Sequence, residues 1–271
     1  RIVRTIEEVL PKVEKYGKQQ VQLESLNNSL LPLLQKSILQ EAIQGKLVAQ
    51  DPSDEPAEKL LVKIDEEKLR LVKEGKLKAK DAVSSIIFKG DDNRYYEQIG
   101  THKQDITDEI HFEIPDSWVY TRLSAVIELL SGRDLESSLY NSIGKGIPYI
   151  TGASNIGESI AVSRWTEYPA TISHIGDLLI TCKGTVGAMA INNIGNIHIA
   201  RQIMSMSPIL CNIDYIRFVI KSQVDSLQKE ARSMIPGISR EHILGVVLPL
   251  PPLNEQARIV NRIKELQALL N

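Results

Sequence analysis

The sequence predicts an α+β protein: a mixed α/β domain with a small β-rich core, attached to long helices of coiled-coil type. Three observations predict it. An apolar seam runs at heptad spacing through the N-terminal region. After residue 111 the texture switches to short β-branched runs punctuated by Gly, Asn and Asp. Near the other end, the helix with which the chain begins returns.

The N-terminal seam consists of Ile2, Ile6, Val9, Val13, Tyr16, Gln20, Leu23, Asn27, Leu30 and Leu34, in alternating steps of four and three. Gln20 and Asn27 fall on it, where a buried amide lowers stability but fixes register by demanding a polar partner. Pro11 and Pro32 each lack an amide donor and are expected to kink or end the helix, with a second short helix over 33–44. Thirty helical residues span about 45 Å, the length of a spacer.

After Gly45, Asp51-Pro52-Ser53-Asp54-Glu55-Pro56 predicts a turn. Residues 57–80, rich in Glu, Lys and Leu, predict a solvated helix, and the polar stretch 89–109 predicts an extended connector. Strands are predicted at 125–130, 147–151, 159–162, 177–181, 188–192 and 197–200. A helix is expected at 214–230, then a turn at Ile235-Pro236-Gly237-Ile238, then a short helix at 240–244 capped by Ser239. The organisation that follows is 1–48, a long helical region; 49–111, a charged helix and polar connector; 112–252, the mixed domain; and 253–271, the start of a second helix.

That second helix repeats the first. Arg1-Ile2-Val3-Arg4-Thr5-Ile6-Glu7-Glu8-Val9 reappears as Arg258-Ile259-Val260-Asn261-Arg262-Ile263-Lys264-Glu265-Leu266. The match pairs Ile2 with Ile259, Ile6 with Ile263, Val9 with Leu266 and Val13 with Leu270. The chain thus reads as one period of a longer tandem repeat that continues into the next.

With 42% hydrophobic residues the chain can build a core. It has no apolar run long enough to span a bilayer and no signal-like start, so the expected location is cytoplasmic, with no membrane partner. Net charge is −2, and residues 112–252 hold eleven basic against twelve acidic residues, so charge alone does not point to nucleic acid. Cys182 and Cys211 read as small buried hydrophobes. His174, His198 and His242 lack ligand spacing, so no metal is expected. The sequence has no phosphate loop, no Gly-x-Gly-x-x-Gly turn, no Asn-Pro-Pro-Tyr element and no nuclease-like acidic cluster. No catalytic residues and no cofactor are expected in this chain.

Ile114-Pro115-Asp116-Ser117-Trp118 with Leu123, Gly176-Asp177-Leu178-Leu179-Ile180-Thr181 with Gly184 and Gly187, Gly237-Ile238-Ser239, and Leu248-Pro249-Leu250-Pro251-Pro252-Leu253-Asn254-Glu255-Gln256 with Arg258-Ile259-Val260 together resemble the specificity subunit of type I restriction-modification systems. Ser37-Ile38-Leu39-Gln40 with Ala42-Ile43-Gln44-Gly45-Lys46-Leu47-Val48 resembles the segment after that family's conserved helix. The resemblance implies two target-recognition domains held apart by antiparallel spacer helices, each reading half of a split DNA site. This chain departs from that pattern by having one such domain. It is then either a piece of a two-domain subunit or a half-subunit completed by dimerisation. The implied partners are double-stranded DNA, methylation subunits bringing S-adenosylmethionine, and a restriction subunit bringing ATP hydrolysis and cleavage with Mg.

On that reading the candidate DNA-binding residues are the loop cations and their neighbours: Arg133, Lys145, Lys183, Thr185, Arg201, Gln202, Arg232 and Arg240. Arg201-Gln202 pairs a side chain suited to guanine with one suited to adenine. The candidate helix-seam or dimer residues are Ile6, Val13, Gln20, Leu23, Asn27, Leu30, Ile263 and Leu266. The competing reading is a coiled-coil interaction or scaffold protein, including an anti-restriction mimic. Mimicry calls for an acidic, DNA-like surface, which the distributed loop cations argue against. A methyltransferase or nuclease is disfavoured by the missing motifs.

Overall fold

Ile2–Ile43 form one unbroken helix, α1, about 63 Å long at 1.5 Å per residue. The computed structural model describes residues 2–157, 159–233 and 237–270, with the side chains of 2–6, 8 and 225–233 left aside. Both prolines lie inside α1, contrary to the expected break and second helix. Each deletes one backbone bond, and α1 is exposed over most of its length, so water can satisfy the freed carbonyls. Among the described side chains of α1, the buried ones are at its tail: Ile38, Leu39, Ala42 and Ile43.

The helix after the 51–56 turn is shorter than expected. α2 covers Ala57–Lys73 and ends before Gly75, whose φ of +71° favours glycine. It is also not solvated all round, because Ala57, Leu60, Ile64 and Lys68 form a buried stripe. Lys68 Nζ donates to Ser84 Oγ and the Ser124 carbonyl, each at 3.2 Å, and burial pulls its pKa down.

The expected extended connector is instead a three-stranded antiparallel sheet: β1 (Ile86–Lys89), β2 (Tyr95–Ile99) and β3 (His102–Asp105), in that order. Asn93 and Gly100 make its turns at positive φ. Its faces are held by aromatic contacts, with Phe88 against Tyr96 and Lys103 Nζ 3.6 Å above the Tyr96 ring. Arg122 joins this sheet to the main body by pairing with Glu97 at 2.6 Å and with Glu109.

Strand β4 (Val119–Arg122) leads into a helical turn, α3 (Leu123–Val126), and then β5 (Ile127–Ser131). The expected strand at 125–130 therefore starts as a helical turn at Ala125 and Val126, which are buried with Leu123, and is strand from Ile127 onward. The remaining strands are β6 (Ile147–Ile150), β7 (Trp165–Thr166), β8 (Ile172–Ser173), β9 (Leu178–Thr181), β10 (Met189–Ile191), β11 (Ile197–Ile199) and β12 (Ile203–Pro208). The expected strand at 159–162 does not form. There the Asn155 side chain accepts from the Thr151 and Gly152 amides and donates to the Ala161 carbonyl, folding the segment into a turn.

Two four-stranded sheets result, ordered β10-β9-β12-β5, fully antiparallel, and β7-β6-β11-β8, in which β6 and β11 are parallel. On β9, Leu178 and Ile180 pack toward the helices while Leu179 packs toward the second sheet with Ile150, Ile197 and Ile199. The helices are α4 (Ile213–Ser233), α5 (Arg240–Leu244) and α6 (Leu253–Ala268). Ser239 caps α5 as expected, accepting from the His242 amide at 3.2 Å. Among the described residues β13 (Val247–Leu250) pairs with β4 alone, and Tyr215 on α4 donates to its Pro249 carbonyl at 2.6 Å.

The described seam of α1 and the apolar face of α6 differ in burial. On α6, Ile259, Val260 and Ile263 are buried, and Leu266 packs partly against the same core. On α1, Val13 and Leu23 are each 58% exposed, and Gln20, Asn27 and Leu30 also face water. Gln20 donates to Glu24, on its own helix, at 3.2 Å. The side chain of Ile6 lies outside the described residues.

Candidate nucleic-acid interface

Antiparallel pairing in the β10-β9-β12-β5 sheet fixes which loops share an end. The C-terminal ends of β5 and β9 and the N-terminal ends of β10 and β12 all lie together. Arg133 follows β5, Lys183 and Thr185 follow β9, and Arg201-Gln202 precede β12, so five of the eight candidates meet at one edge of the domain. All five are exposed.

Backbone contacts weld these loops. The Arg133 amide donates to the Ile199 carbonyl at 2.9 Å, the Cys182 amide to the Gln202 carbonyl at 2.8 Å, and the Ile238 amide to the Cys182 carbonyl at 2.9 Å. Gly132 lies so close that a Cβ there would sit 2.1 Å from the Ala200 carbonyl oxygen. In the loop after β9, Thr181 Oγ1 donates to the Thr185 carbonyl at 2.6 Å, and Gly184 adopts φ +75°.

Buried polar groups hold the strands, Asp177 at the end of β9 away from the loop edge and His198 behind the Arg133 turn. Asp177 accepts from Ser173 Oγ, the His174 amide, Ser205 Oγ and Ser207 Oγ, at 2.6 to 3.0 Å. His198 is fully buried, its Nε2 2.9 Å from the Arg133 carbonyl and its Nδ1 2.9 Å from that of Thr171. Burial pushes its pKa down, and the two carbonyls only partly oppose this. Burial also raises the Cys182 thiol.

The other candidates do not join this edge as free donors. Lys145 precedes β6, at the far end of that strand from Gly152 and Gln202, and pairs with Glu167 at 2.9 Å. Arg240 lies near the edge in sequence but turns inward, its Nη1 donating to the Leu129 carbonyl. Arg232 falls at the end of α4, and its side chain lies outside the described residues, as do residues 234–236 of the expected turn. Sequence reasoning does not single out Asp134, whose Oδ2 lies 2.8 Å from Arg201 Nε. The pair is 67 positions apart, and no local pattern announces it. Among the described residues no group of three or more His, Cys, Asp or Glu side chains could hold a metal.

The motif-rich C-terminal segment plays a different part. Glu255, at the start of α6, accepts from Trp118 Nε1 at 2.9 Å and Gln50 Nε2 at 2.7 Å. Burial raises its pKa, while those two donors work against the shift. Gln256 accepts from the Asn212 amide and donates to the Pro251 carbonyl. Arg258 pairs with Asp54 at 2.5 Å. These residues fasten α6 and the 50–57 turn to the domain, rather than facing the loop edge.

Comparison with known proteins agrees with this architecture. Residues 115–271 match the family model described as type I restriction modification DNA specificity domain. The EcoAI specificity subunit of Escherichia coli is 27% identical over 253 residues, covering 87% of this chain and 39% of that protein. The EcoEI specificity subunit of the same organism is 27% identical over 257 residues, with the same coverage. This chain therefore spans about four-tenths of the length of these relatives. Its fold is similar to a chain from a structural study of complex assembly and conformational transition in the type I R-M system, with TM-score 0.63 and 19% identity, over 100% of this chain and 51% of that one. It is also similar to the HsdS subunit from Thermoanaerobacter tengcongensis, with TM-score 0.58 and 19% identity, over 100% and 50%. With more than half of its residues matched by the family model, the chain belongs to the family of type I restriction-modification DNA specificity domains.

Proposed function

We propose that this chain reads one half of a split double-stranded DNA target through the loop edge carrying Arg133, Lys183, Thr185, Arg201 and Gln202. The observation that carries this reading is the convergence of these side chains, from three separate loops, on one end of a rigid sheet. Phosphate contacts from Arg133 and Lys183 would set register, and Arg201-Gln202 would reach base edges. A nearly neutral domain suffices, because only the cations on one face need to meet the duplex.

On this reading the chain carries no catalytic step. Methylation subunits with S-adenosylmethionine, and a restriction subunit with ATP and Mg, supply the chemistry in the cytoplasm. The exposed α1 seam, including Val13, Leu23 and Leu30, supports a second half-subunit as the partner that completes the split site: another recognition domain or another copy of this chain. Among the described residues no helix is long and apolar enough to cross a membrane.

The test is selection from a pool of randomised duplexes by the purified chain, followed by sequencing. The expected result is enrichment of a short conserved half-site, with affinity falling steeply as salt rises. Binding without any enriched sequence would contradict specific reading.

A further inference from the structure

Asp134 touches Arg201 twice. Its Oδ1 accepts from the Arg201 backbone amide at 3.1 Å, and its Oδ2 lies 2.8 Å from Arg201 Nε. The carboxylate is itself fixed from both sides. Arg133 is held by its amide on the Ile199 carbonyl and by His198 on its own carbonyl, while the Leu135 amide donates to Tyr149 Oη at 3.3 Å. Gly132 allows this turn to press against Ala200, immediately before Arg201. The acid is thus presented by a rigid turn to one particular arginine.

An ion pair at Nε leaves the guanidinium edge bearing the two terminal amino groups available, and the Arg201 side chain is 69% exposed. That edge is a planar fork of the kind that matches O6 and N7 of guanine in the major groove. A free arginine would lose considerable rotamer entropy on reaching the same geometry, and a carboxylate clamp removes much of that loss before the duplex arrives.

We propose that Asp134 is a positioning residue that holds Arg201 as a guanine-reading fork, so that this domain's half-site contains a G·C pair read by Arg201. The inference rests on the DNA reading proposed above and deepens it. An acid at this edge would otherwise only repel phosphate. Its effect must therefore appear in base preference rather than in overall affinity.

The experiment repeats the duplex selection with the wild-type chain, Asp134→Asn, Arg201→Ala, Arg201→Lys and the Asp134→Asn/Arg201→Ala double variant, with thermal midpoints measured alongside. The wild type is expected to select guanine at one position of its half-site. Arg201→Ala and Arg201→Lys abolish that preference, the second while keeping charge. Asp134→Asn weakens the same position about tenfold, within the range of one bidentate contact, and leaves other positions intact. The double variant is no worse than Arg201→Ala alone.

Tighter binding of Asp134→Asn to every duplex with an unchanged motif would overturn the proposal and leave the acid as a repulsive surface charge. So would retention of the guanine preference by Arg201→Lys. If Asp134→Asn lowers the thermal midpoint and blurs every position together, its role is structural and the proposal falls. A wild-type chain that selects no motif refutes the DNA reading itself.

Discussion

Trp118 Nε1 donates to Glu255 Oε2 at 2.9 Å, joining the residue just before β4 to the first turn of α6, across 137 positions of sequence. Both side chains are buried, and Gln50 donates to the other Glu255 oxygen. These bonds help to tie α6 to the rest of the domain. Glu255→Ala strands the buried Trp118 Nε1 donor, while the exposed Gln50 can turn to water, and is expected to lower unfolding free energy by on the order of 2 kcal/mol. Urea unfolding would show this as a lower midpoint at an unchanged slope. A change within 0.5 kcal/mol, a typical surface effect of roughly that size, would show that the donor finds another partner.

Gly132 governs the loop edge. A methyl group at 132 meets the Ala200 carbonyl, so Gly132→Ala must push the 132–135 turn away from β12. We expect a loss of about 2 to 4 kcal/mol, as for other severe backbone clashes, together with weakened duplex binding. Wild-type stability and binding in this variant would mean that the turn yields freely.

His198 is expected to make the edge sensitive to acid. Its folded pKa is lowered by burial, so the folded state binds this proton less readily than the unfolded chain does. The stability it contributes is present above the unfolded histidine value and is lost as pH falls through the lowered folded value. Thermal midpoints taken from pH 7.5 down to 5 should fall more steeply for the wild type than for His198→Gln, which lacks the titrating ring. Parallel curves would rule out this histidine as the origin.

The exposed seam of α1 predicts association. Light scattering over a range of concentrations should show a dimer that Leu23→Glu dissociates, since a charge on the seam opposes burial. A monomer throughout would assign the seam to a helix of a different chain segment.

Local signals were readable in the sequence where one segment decides its own conformation. Ser239 and 240–244 form the cap and helix expected, and β6, β9, β10 and β11 lie within the predicted runs. The misses have tertiary causes. β12 alternates Met and Ser around the buried Asp177, a pattern that makes sense only once Asp177 is seen to need those hydroxyls. β13 carries Pro249, tolerated because among the described residues β4 alone pairs with it. The cations at the loop edge were visible as loop cations. Their convergence, the diversion of Lys145 to Glu167 and of Arg240 to a backbone carbonyl, and the Asp134 clamp depend on contacts 22 to 111 positions apart in sequence.

The central claim is that the β5, β9 and β12 loop edge meets DNA. The most direct measurement is duplex affinity of Arg133→Glu and Lys183→Glu beside Lys63→Glu, a reversal on α2 where the lysine pairs with Glu55. Each reversal at the edge should weaken binding at least tenfold and shallow the salt dependence, while Lys63→Glu leaves both unchanged. Equal affinities for all three variants and the wild type would contradict the account and move the DNA surface elsewhere on the molecule.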